Sequence, residues 1–121
     1  TDFTAGSPSL VSRASTDPII NPEILPALIP IYLGSHTEPT DPYASPLFGD
    51  YSGMPPLLLQ VGDAEVLLDD STRLATHAAE QGCDVTLEIW DGMPHVFQGF
   101  APFLPEASKA IETIGKFIRQ H

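Results

Sequence analysis

The chain has 121 residues, of which 42% are hydrophobic, and this length and composition predict one compact unit with a modest core. Five Lys and Arg against sixteen Asp and Glu give a formal net charge of -11, so the surface would repel phosphate backbones, and nucleic acid is excluded as an expected partner. The single cysteine, Cys83, cannot form an internal disulfide, and no stretch approaches the roughly 20 apolar residues that cross a bilayer, so we expect a cytoplasmic chain without a membrane partner.

Residues 1–53 form a first region that is rich in Pro, Ser, Thr, Asp and Gly and is expected to consist of loops and short helices. One apolar stretch, Ile19–Leu33, interrupts it. Asn21 is placed to cap a helix there, with a proline at the first helical position, where the missing amide hydrogen has no helical partner to lose. Pro26 and Pro30 are expected to bend or divide this helix.

The segment Leu57–Gly62 is a short and nearly continuous apolar run, which is typical of a strand buried on both faces of a parallel sheet. Between Asp69 and Gln81, acidic residues come first and helix-forming residues follow. Gly82 stands where the C-terminal cap of a helix belongs. The pattern predicts a helix over this segment, with Asp69 and Asp70 as charges that complement the start of its dipole.

A second strand is predicted over Asp84–Trp90, where apolar and polar residues alternate. Its less exposed face carries Val85, Leu87 and Ile89. Pro105 and Glu106 then open a second helix. Apolar side chains at helical spacing form one stripe along it, namely Ala107, Ala110, Ile111, Ile114, Phe117 and Ile118. The stripe also leaves open a surface for a homodimer.

The order strand, helix, strand, helix predicts an α/β fold in which the two strands are parallel and joined by a right-handed helical crossover. A parallel pair needs cover on both faces and further strands at its edges. Two strands are too few to meet that need, so the sequence predicts that more of the sheet exists elsewhere.

Chemically reactive side chains follow both predicted strands. The loop after Gly62 contains Asp63 and Glu65, and the loop after Trp90 contains His95. In parallel α/β sheets, reactions take place beyond the carboxyl ends of the strands. A histidine that acts there as a general base needs a carboxylate to fix its tautomer and to stabilise its protonated form. Adjacent strand-end loops can supply that contact.

Three segments carry a family resemblance, and their order along the chain makes it specific. They are Asp41–Phe48 (DPYASPLF), Pro55–Ser71 (PPLLLQVGDAEVLLDDS) and Gly92–Gln98 (GMPHVFQ). Together they resemble the hormone-sensitive-lipase-like esterases, bacterial esterase family IV, of the α/β-hydrolase fold. Members of that group commonly have Phe in the place of Pro94. The acid precedes the histidine, as in α/β-hydrolase triads, in which the serine comes first.

By this resemblance the catalytic acid falls on Glu65 and the catalytic histidine falls on His95. Many members have Asp where Glu65 stands, and the longer side chain must approach the histidine from further back. Asp63 therefore remains an alternative for the catalytic acid. The residues expected near the pocket for the acyl or alcohol group are Val66, Val96 and Phe97.

The resemblance implies the C-terminal portion of an α/β-hydrolase sheet, with residues 54–121 as the β-α-β-α part of the catalytic domain. Residues 1–53 would be a loop and partial cap segment, in which Arg13–Leu33 lies over the active site. Nine serines are present, but none lies in a Gly-x-Ser-x-Gly elbow, and the chain has no His-Gly-Gly-Gly segment. We expect both in a missing N-terminal part of the hydrolase domain, without which this chain should be inactive.

The implied activity is that of a serine carboxylesterase, which hydrolyses a small hydrophobic ester through a Ser-His-Asp/Glu triad. No metal or organic cofactor is required. An amidase or peptidase of the same fold would use the same chemistry, and a non-catalytic small-ligand-binding module is a third hypothesis because the chain has no nucleophile. The other histidines are interpreted as solvated surface residues, not metal ligands, namely His36, His77 and His121.

Overall fold

The chain consists of an irregular first region and a regular second region, and the computed structural model describes residues 1–121. It contains the helices α1 (Ser9–Ser12), α2 (Leu25–Leu33), α3 (Leu68–Glu80) and α4 (Pro105–Gln120). The two strands are β1 (Leu57–Gly62) and β2 (Val85–Trp90). Short 3₁₀ turns cover Pro22–Ile24, Pro46–Phe48 and Phe97–Phe100. None of the helices has the length and the apolar character needed to cross a membrane.

Strands β1 and β2 form a parallel pair, as predicted. Their register runs from Leu57 opposite Val85 to Gly62 opposite Trp90. Helix α3 connects the end of β1 to the start of β2, and a helical crossover of this kind allows the two strands to run in the same direction. Because Gly62 and Trp90 are register partners, both strands end at the same edge of the sheet. The loops that follow them therefore leave the sheet side by side.

Helix α3 begins and ends within one residue of its prediction. Asp69 and Asp70 lie in its first turn, where negative charge is favourable. Gly82 follows the helix with a φ of 84°, a left-handed conformation that glycine adopts readily. The amide of Cys83 then returns to the carbonyl oxygen of Ala78 at 3.1 Å, which closes the helix end. Local signals thus define both ends of this helix.

The two long helices cover opposite faces of the sheet. Leu57 of β1 packs on the α3 side, against the buried cluster of Tyr51, Ala78 and Cys83. The side chain of Gln60 points to the other face, because successive strand residues alternate. There it donates a hydrogen bond to the carbonyl oxygen of Ala110 in α4 at 3.1 Å. Each face of the sheet is therefore covered by one helix.

The prediction that β1 is buried on both faces is wrong for this chain. Only Val61 and Gly62 are buried, and Leu57–Gln60 remain half-exposed. The predicted inner face of β2 also fails at Ile89, which is 52% exposed. One helix on each face covers the middle of a two-stranded sheet, but it leaves apolar surface uncovered at the two edges.

Helix α4 begins at Pro105, as predicted, but its apolar stripe is covered unevenly. Ala107 and Ala110 are fully buried against Phe97. Ile111 and Ile118 belong to the same apolar stripe, yet they are 47% and 68% exposed. Cover is deepest at Ala107 and Ala110, because the 3₁₀ turn that begins at Phe97 packs against the helix there.

Asn21 caps the first apolar helix, as predicted, since its side chain accepts a hydrogen bond from the amide of Glu23 at 3.0 Å. The 3₁₀ turn Pro22–Ile24 leads directly into α2. Of the two expected effects of Pro30, division of the helix does not occur, because α2 continues through Pro30 to Leu33. The proline removes one amide donor from the helix, but its carbonyl oxygen still accepts from the amide of Gly34 at 2.9 Å.

Buried polar side chains attach the first region to α3. Asp70 accepts hydrogen bonds from the amide of Asp2 at 2.9 Å and from the hydroxyl of Ser7. The Nη1 atom of Arg73 lies 2.7 Å from Oδ2 of Asp2 and 2.9 Å from Oγ of Ser7. Asp70 is thus a buried attachment point in addition to the helix-start charge that the sequence indicated.

Candidate active site

Two loops meet at the carboxyl edge of the sheet, the β1 loop (residues 63–67) and the β2 loop (residues 91–96). Main-chain hydrogen bonds connect the β1 loop to the end of β2 and to the β2 loop. The amide of Asp63 donates to the carbonyl oxygen of Trp90 at 3.0 Å, and the amide of Ala64 donates to that of Met93 at 3.3 Å. Hydrogen bonds between backbone groups therefore fix the position of the two loops relative to each other.

Gly62 permits the close approach of these loops. A Cβ atom built on Gly62 would lie 1.9 Å from the carbonyl oxygen of Met93, well inside van der Waals contact. Any other residue at this position would force the β2 loop away from the end of β1. A glycine is thus required at position 62 because the β2 loop occupies the space that a side chain would need.

Glu65 and His95 are in direct contact. Oε1 of Glu65 lies 2.9 Å from Nδ1 of His95. The other carboxylate oxygen, Oε2, accepts a hydrogen bond from the amide of Gly62 at 3.0 Å. The longer glutamate side chain is accommodated because it folds back over the end of its own strand. Its carboxylate is buried and held at both oxygens, so its orientation toward the histidine is defined.

The contact with Glu65 determines which nitrogen of His95 is free to react. A carboxylate accepts hydrogen bonds, so Nδ1 carries the hydrogen and donates it to Glu65. In the neutral ring Nε2 is then the atom with the free lone pair. The side chain of His95 is 33% exposed, whereas that of Glu65 is 6% exposed. The pair therefore presents a proton-accepting nitrogen at the surface and keeps its carboxylate below.

Asp63, the alternative acid in the sequence analysis, has a different partner. Its Oδ1 accepts a hydrogen bond from the amide of Gly92 at 2.7 Å. Gly92 adopts a φ of 67°, so this bond stabilises the tight turn at the start of the β2 loop. The structure brings Glu65, and not Asp63, to the ring of His95. The catalytic roles of these residues remain predictions.

A cavity of about 270 Å³ opens beside His95. Two of the three predicted pocket residues, Val96 and Phe97, line it together with Glu65, whereas Val66 is fully buried and does not. Val96 is 58% exposed and adopts a left-handed backbone with a φ of 55°. That conformation costs a β-branched residue of order 1–3 kcal/mol, so the turn after His95 is a constrained segment.

Two glutamines that the sequence analysis missed connect the sheet to this cavity. The amide of Gln98 donates to Oε1 of Gln60 at 3.0 Å, and the amide of Gln60 donates to Oε2 of Glu88 at 2.8 Å. Both glutamines line the cavity beside His95. The signal in the sequence is the one polar residue within the apolar run of β1, because a polar side chain in a strand interior requires a hydrogen-bond partner.

No group of three or more His, Cys, Asp or Glu side chains is arranged to hold a metal ion. His77, which was interpreted as a solvated surface residue, is instead half-buried, and that interpretation is wrong. Its Nε2 atom lies 2.9 Å from the carbonyl oxygen of Gly49 and 2.9 Å from Nε2 of Gln81. Its ring also packs edge-on against Tyr51. His77 therefore helps to join the first region to α3.

Comparison with known proteins gives a family match and close relatives. A family model described as alpha/beta hydrolase fold matches residues 1–99. The acetyl-hydrolase of Streptomyces hygroscopicus is 40% identical over 118 residues, which are 98% of this chain and 39% of that protein. The esterase of Acinetobacter venetianus is 40% identical over 116 residues, which are 96% of this chain and 38% of that protein. The chain spans less than half the length of these relatives.

Solved structures agree with these sequence matches. The crystal structure of an esterase from the bacterial hormone-sensitive lipase family superimposes with a TM-score of 0.93 at 48% identity, covering 98% of this chain and 40% of that chain. A hormone-sensitive lipase from a metagenome library superimposes with a TM-score of 0.92 at 37% identity, covering 99% of this chain and 41% of that chain. The similarity therefore extends over nearly all of the chain in both sequence and structure.

Proposed function

The chain belongs to the alpha/beta hydrolase fold family, in its hormone-sensitive-lipase branch, and we propose that the protein is a serine carboxylesterase to which this chain contributes Glu65 and His95. The membership confirms the fold class predicted from the sequence, the C-terminal portion of an α/β-hydrolase sheet, and it confirms the family resemblance. The observation that carries the proposal is the 2.9 Å hydrogen bond between these two side chains at the carboxyl ends of two parallel strands.

In the proposed reaction, Nε2 of His95 accepts the proton of a serine hydroxyl while the serine oxygen attacks the carbonyl carbon of the ester. The imidazolium then gives this proton to the leaving alcohol as the bond between carbonyl carbon and alcohol oxygen breaks. Glu65 keeps the hydrogen on Nδ1 and stabilises the positive ring. His95 then takes a proton from a water molecule whose oxygen attacks the acyl carbon, and it returns this proton to the serine oxygen as the bond between that oxygen and the acyl carbon breaks, which frees the acid.

The serine and the oxyanion donors belong, in this proposal, to a further part of the hydrolase domain. Neither a Gly-x-Ser-x-Gly elbow nor a His-Gly-Gly-Gly segment occurs in the chain. The half-exposed side chains of β1 and the exposed Ile89 of β2 support further sheet and helix beside these strands. We place the reactive serine against the exposed ring nitrogen of His95, and we expect the chain to be inactive by itself.

The substrate is proposed to be a small hydrophobic ester. Residues 1–53 would serve as a loop and partial cap segment, of which Arg13–Leu33 lies over the site. The apolar side chains that α2 exposes support this assignment, namely Leu28, Ile31 and Tyr32. Val96 and Phe97 are two of the three hydrophobic residues among the ten that line the cavity beside His95, so they can contact the apolar part of an ester there. The names of the relatives, among them an acetyl-hydrolase and an ethyl acetate hydrolase, favour a short acyl group.

Replacement of His95 by Ala in the protein that contains this chain together with its serine elbow tests the proposal. The kcat for a short-chain aryl ester should fall by about 10⁴-fold or more, because neither proton transfer has another base. His36→Ala is the matched control, since His36 is exposed and far along the chain from the site, and it should leave kcat unchanged.

The same assay identifies the acid. Glu65→Gln should lose most of the activity, whereas Asp63→Ala should keep most of it because Asp63 contacts Gly92 and not the histidine. Retention of most activity in His95→Ala would refute the proposed function. Ester and anilide substrates compared in parallel separate an esterase from an amidase of the same fold.

A further inference from the structure

The β1 loop, which carries Glu65, is bound by the β2 loop on one side and by the first region on the other. Thr16 Oγ1 donates a hydrogen bond to the carbonyl oxygen of Ala64 at 3.1 Å. Ser9 Oγ donates to the carbonyl oxygen of Val66 at 2.6 Å. These residues flank Glu65 on its two sides. The position of Glu65 therefore depends on side chains from a segment that lies far earlier in the chain.

Asp17 contacts the residue that directly follows Glu65. Its Oδ2 accepts a hydrogen bond from the amide of Val66 at 2.9 Å. Its Oδ1 accepts from the amides of Ile19 at 2.8 Å and Ile20 at 2.9 Å. One carboxylate oxygen thus closes the local turn and the other holds the β1 loop. Because a peptide unit is planar, fixing the amide of Val66 also fixes the carbonyl carbon and the Cα atom of Glu65.

The charge of Asp17 strengthens this contact. Burial alone would raise its pKa, but hydrogen bonds from the amides of Ile20, Val66 and Ile19, together with the positive charge of His95, hold the pKa below its usual range. The carboxyl group is therefore ionised at neutral pH, and an ionised acceptor makes a stronger hydrogen bond than a neutral one.

We propose that Asp17 is a positioning residue for the Glu65–His95 pair, a role that rests on the proposed function. Asp17 holds the β1 loop where Oε1 of Glu65 reaches His95 while Oε2 keeps its bond to the amide of Gly62. A glutamate has one more rotatable bond than an aspartate, so it makes two such contacts at once only if its backbone is held. Asp17 makes no hydrogen bond to His95 and acts through Glu65.

Another aspartate of the first region shows what a turn contact alone provides. The Oδ1 atom of Asp50 accepts a hydrogen bond from the amide of Ser52 at 2.9 Å, the same two-residue turn that Asp17 forms with Ile19. Asp50 is exposed and has no contact with the β1 loop. Asp50→Ala is therefore a matched control that removes a turn carboxylate without releasing Glu65.

The test compares Asp17→Ala, Asp17→Asn and Asp50→Ala in the protein that includes the serine elbow. We expect the kcat for a short-chain ester to fall about tenfold or more in Asp17→Ala, with KM within about twofold of the wild type, because the pair is misplaced while substrate binding is kept. Asp17→Asn has one acceptor oxygen in place of two and should lose somewhat less. Asp50→Ala should match the wild type.

A spectroscopic measurement separates positioning from general stability. The low-field proton resonance of the Nδ1 hydrogen of His95 should shift or broaden in both Asp17 variants, whereas a purely structural loss would lower only the melting temperature. If Asp17→Ala does not fold, Asp17→Asn, which can retain the turn, decides. If Asp17→Asn has the kcat and the Nδ1 proton resonance of the wild type, the positioning role is overturned. The proposed function would still stand in that case, provided that His95→Ala loses its activity. Retained activity in His95→Ala would overturn both.

Discussion

Residues 1–53 and residues 54–121 are held in place by different kinds of contact. In the second region the main chain sets the geometry, through the parallel ladder of β1 and β2 and the backbone bonds between the loops that follow them. The first region attaches to α3 and the β1 loop through side chains, namely Asp2, Ser7, Ser9, Thr16 and Asp17. A backbone ladder tolerates changes of side chain, whereas the attachment of the first region depends on specific residues.

Main-chain and side-chain contacts also have different roles at the candidate site. The ladder brings Glu65 and His95 to the same edge of the sheet, because their strands end in register. Side chains from the first region then hold the backbone on either side of Glu65. The regular scaffold therefore brings the two site residues together, and the irregular segment fixes the backbone of one of them.

Gly62→Ala should have the largest effect, since it breaks the main-chain geometry of the second region. The new Cβ atom would lie 1.9 Å from the carbonyl oxygen of Met93, so the β2 loop must move away from the β1 loop. We expect the free energy of unfolding to fall by about 3 kcal/mol and kcat to fall by roughly 100-fold or more. Urea unfolding and ester hydrolysis measure the two effects.

Gly115→Ala in α4 provides the control for this change. Its new Cβ atom meets only the flexible end of Arg119, at 3.4 Å, and alanine favours a helix more than glycine does. This variant should be as stable as the wild type or slightly more stable. Equal stabilities in Gly62→Ala and Gly115→Ala would show that the loops do not need their close approach.

Asp70→Ala tests the side-chain attachment of the first region and should have a smaller effect. Its removal leaves the buried amide of Asp2 and the hydroxyl of Ser7 without their acceptor, which costs about 1–3 kcal/mol. Asp69→Ala is the matched control, because both carboxylates lie in the first turn of α3 but only Asp70 is buried. We expect the amides of residues 1–53 to exchange hydrogen faster in Asp70→Ala and to change little in Asp69→Ala.

Equal exchange in these two variants would contradict a specific attachment. It would indicate that both aspartates act only through the helix dipole, as the sequence by itself suggested.

Lowering the pH should loosen the attachment of the first region, and this should be the smallest of the three effects. Burial would raise the pKa of Asp2, but hydrogen bonds from Thr4 and Arg73 and the charge of Arg73 outweigh it and lower the pKa. A carboxyl group of this kind stabilises the fold above its unfolded pKa, near 3.8, and the contribution is lost as the pH falls through the lower folded value. We expect faster proteolysis within residues 1–53 below about pH 4.

The variant Asp2→Asn tests whether Asp2 is the group responsible for this acid-dependent step. Without the ionisable group, the acid-dependent step should be reduced, and the part that remains belongs to Asp17 and Asp50, whose pKa values are lowered in the same direction. A step of unchanged size in Asp2→Asn would exclude Asp2 as the source.

Regular elements were predictable because their signals are local. The apolar run of β1, the alternation of β2, the cap at Gly82 and the start of α4 at Pro105 depend on neighbours within a few residues, and the elements agree with their predictions within about one residue. Asn21 is a similar case, since its cap involves an amide two residues away.

Burial was less predictable, because it depends on what packs against each element. The apolar stripe of α4 is continuous in sequence, yet Ile111 and Ile118 remain exposed while Ala107 is buried. Ile89 lies on the predicted inner face of β2 and is exposed for the same reason. Apolar character indicates which side chains can be buried. Which of them are buried depends on the elements that pack against them.

The order of strands and helices and the two loops that carry Glu65 and His95 follow from the amino-acid sequence alone, because hydrophobic periodicity, capping residues and family motifs involve residues that are close together in the chain. Two contacts are visible only in the folded chain: Glu65, and not Asp63, contacts the histidine, and Asp17 accepts a hydrogen bond from the amide of Val66. These contacts join residues that are distant in the chain, and their geometry depends on distances of a few tenths of an ångström that no spacing along the sequence encodes.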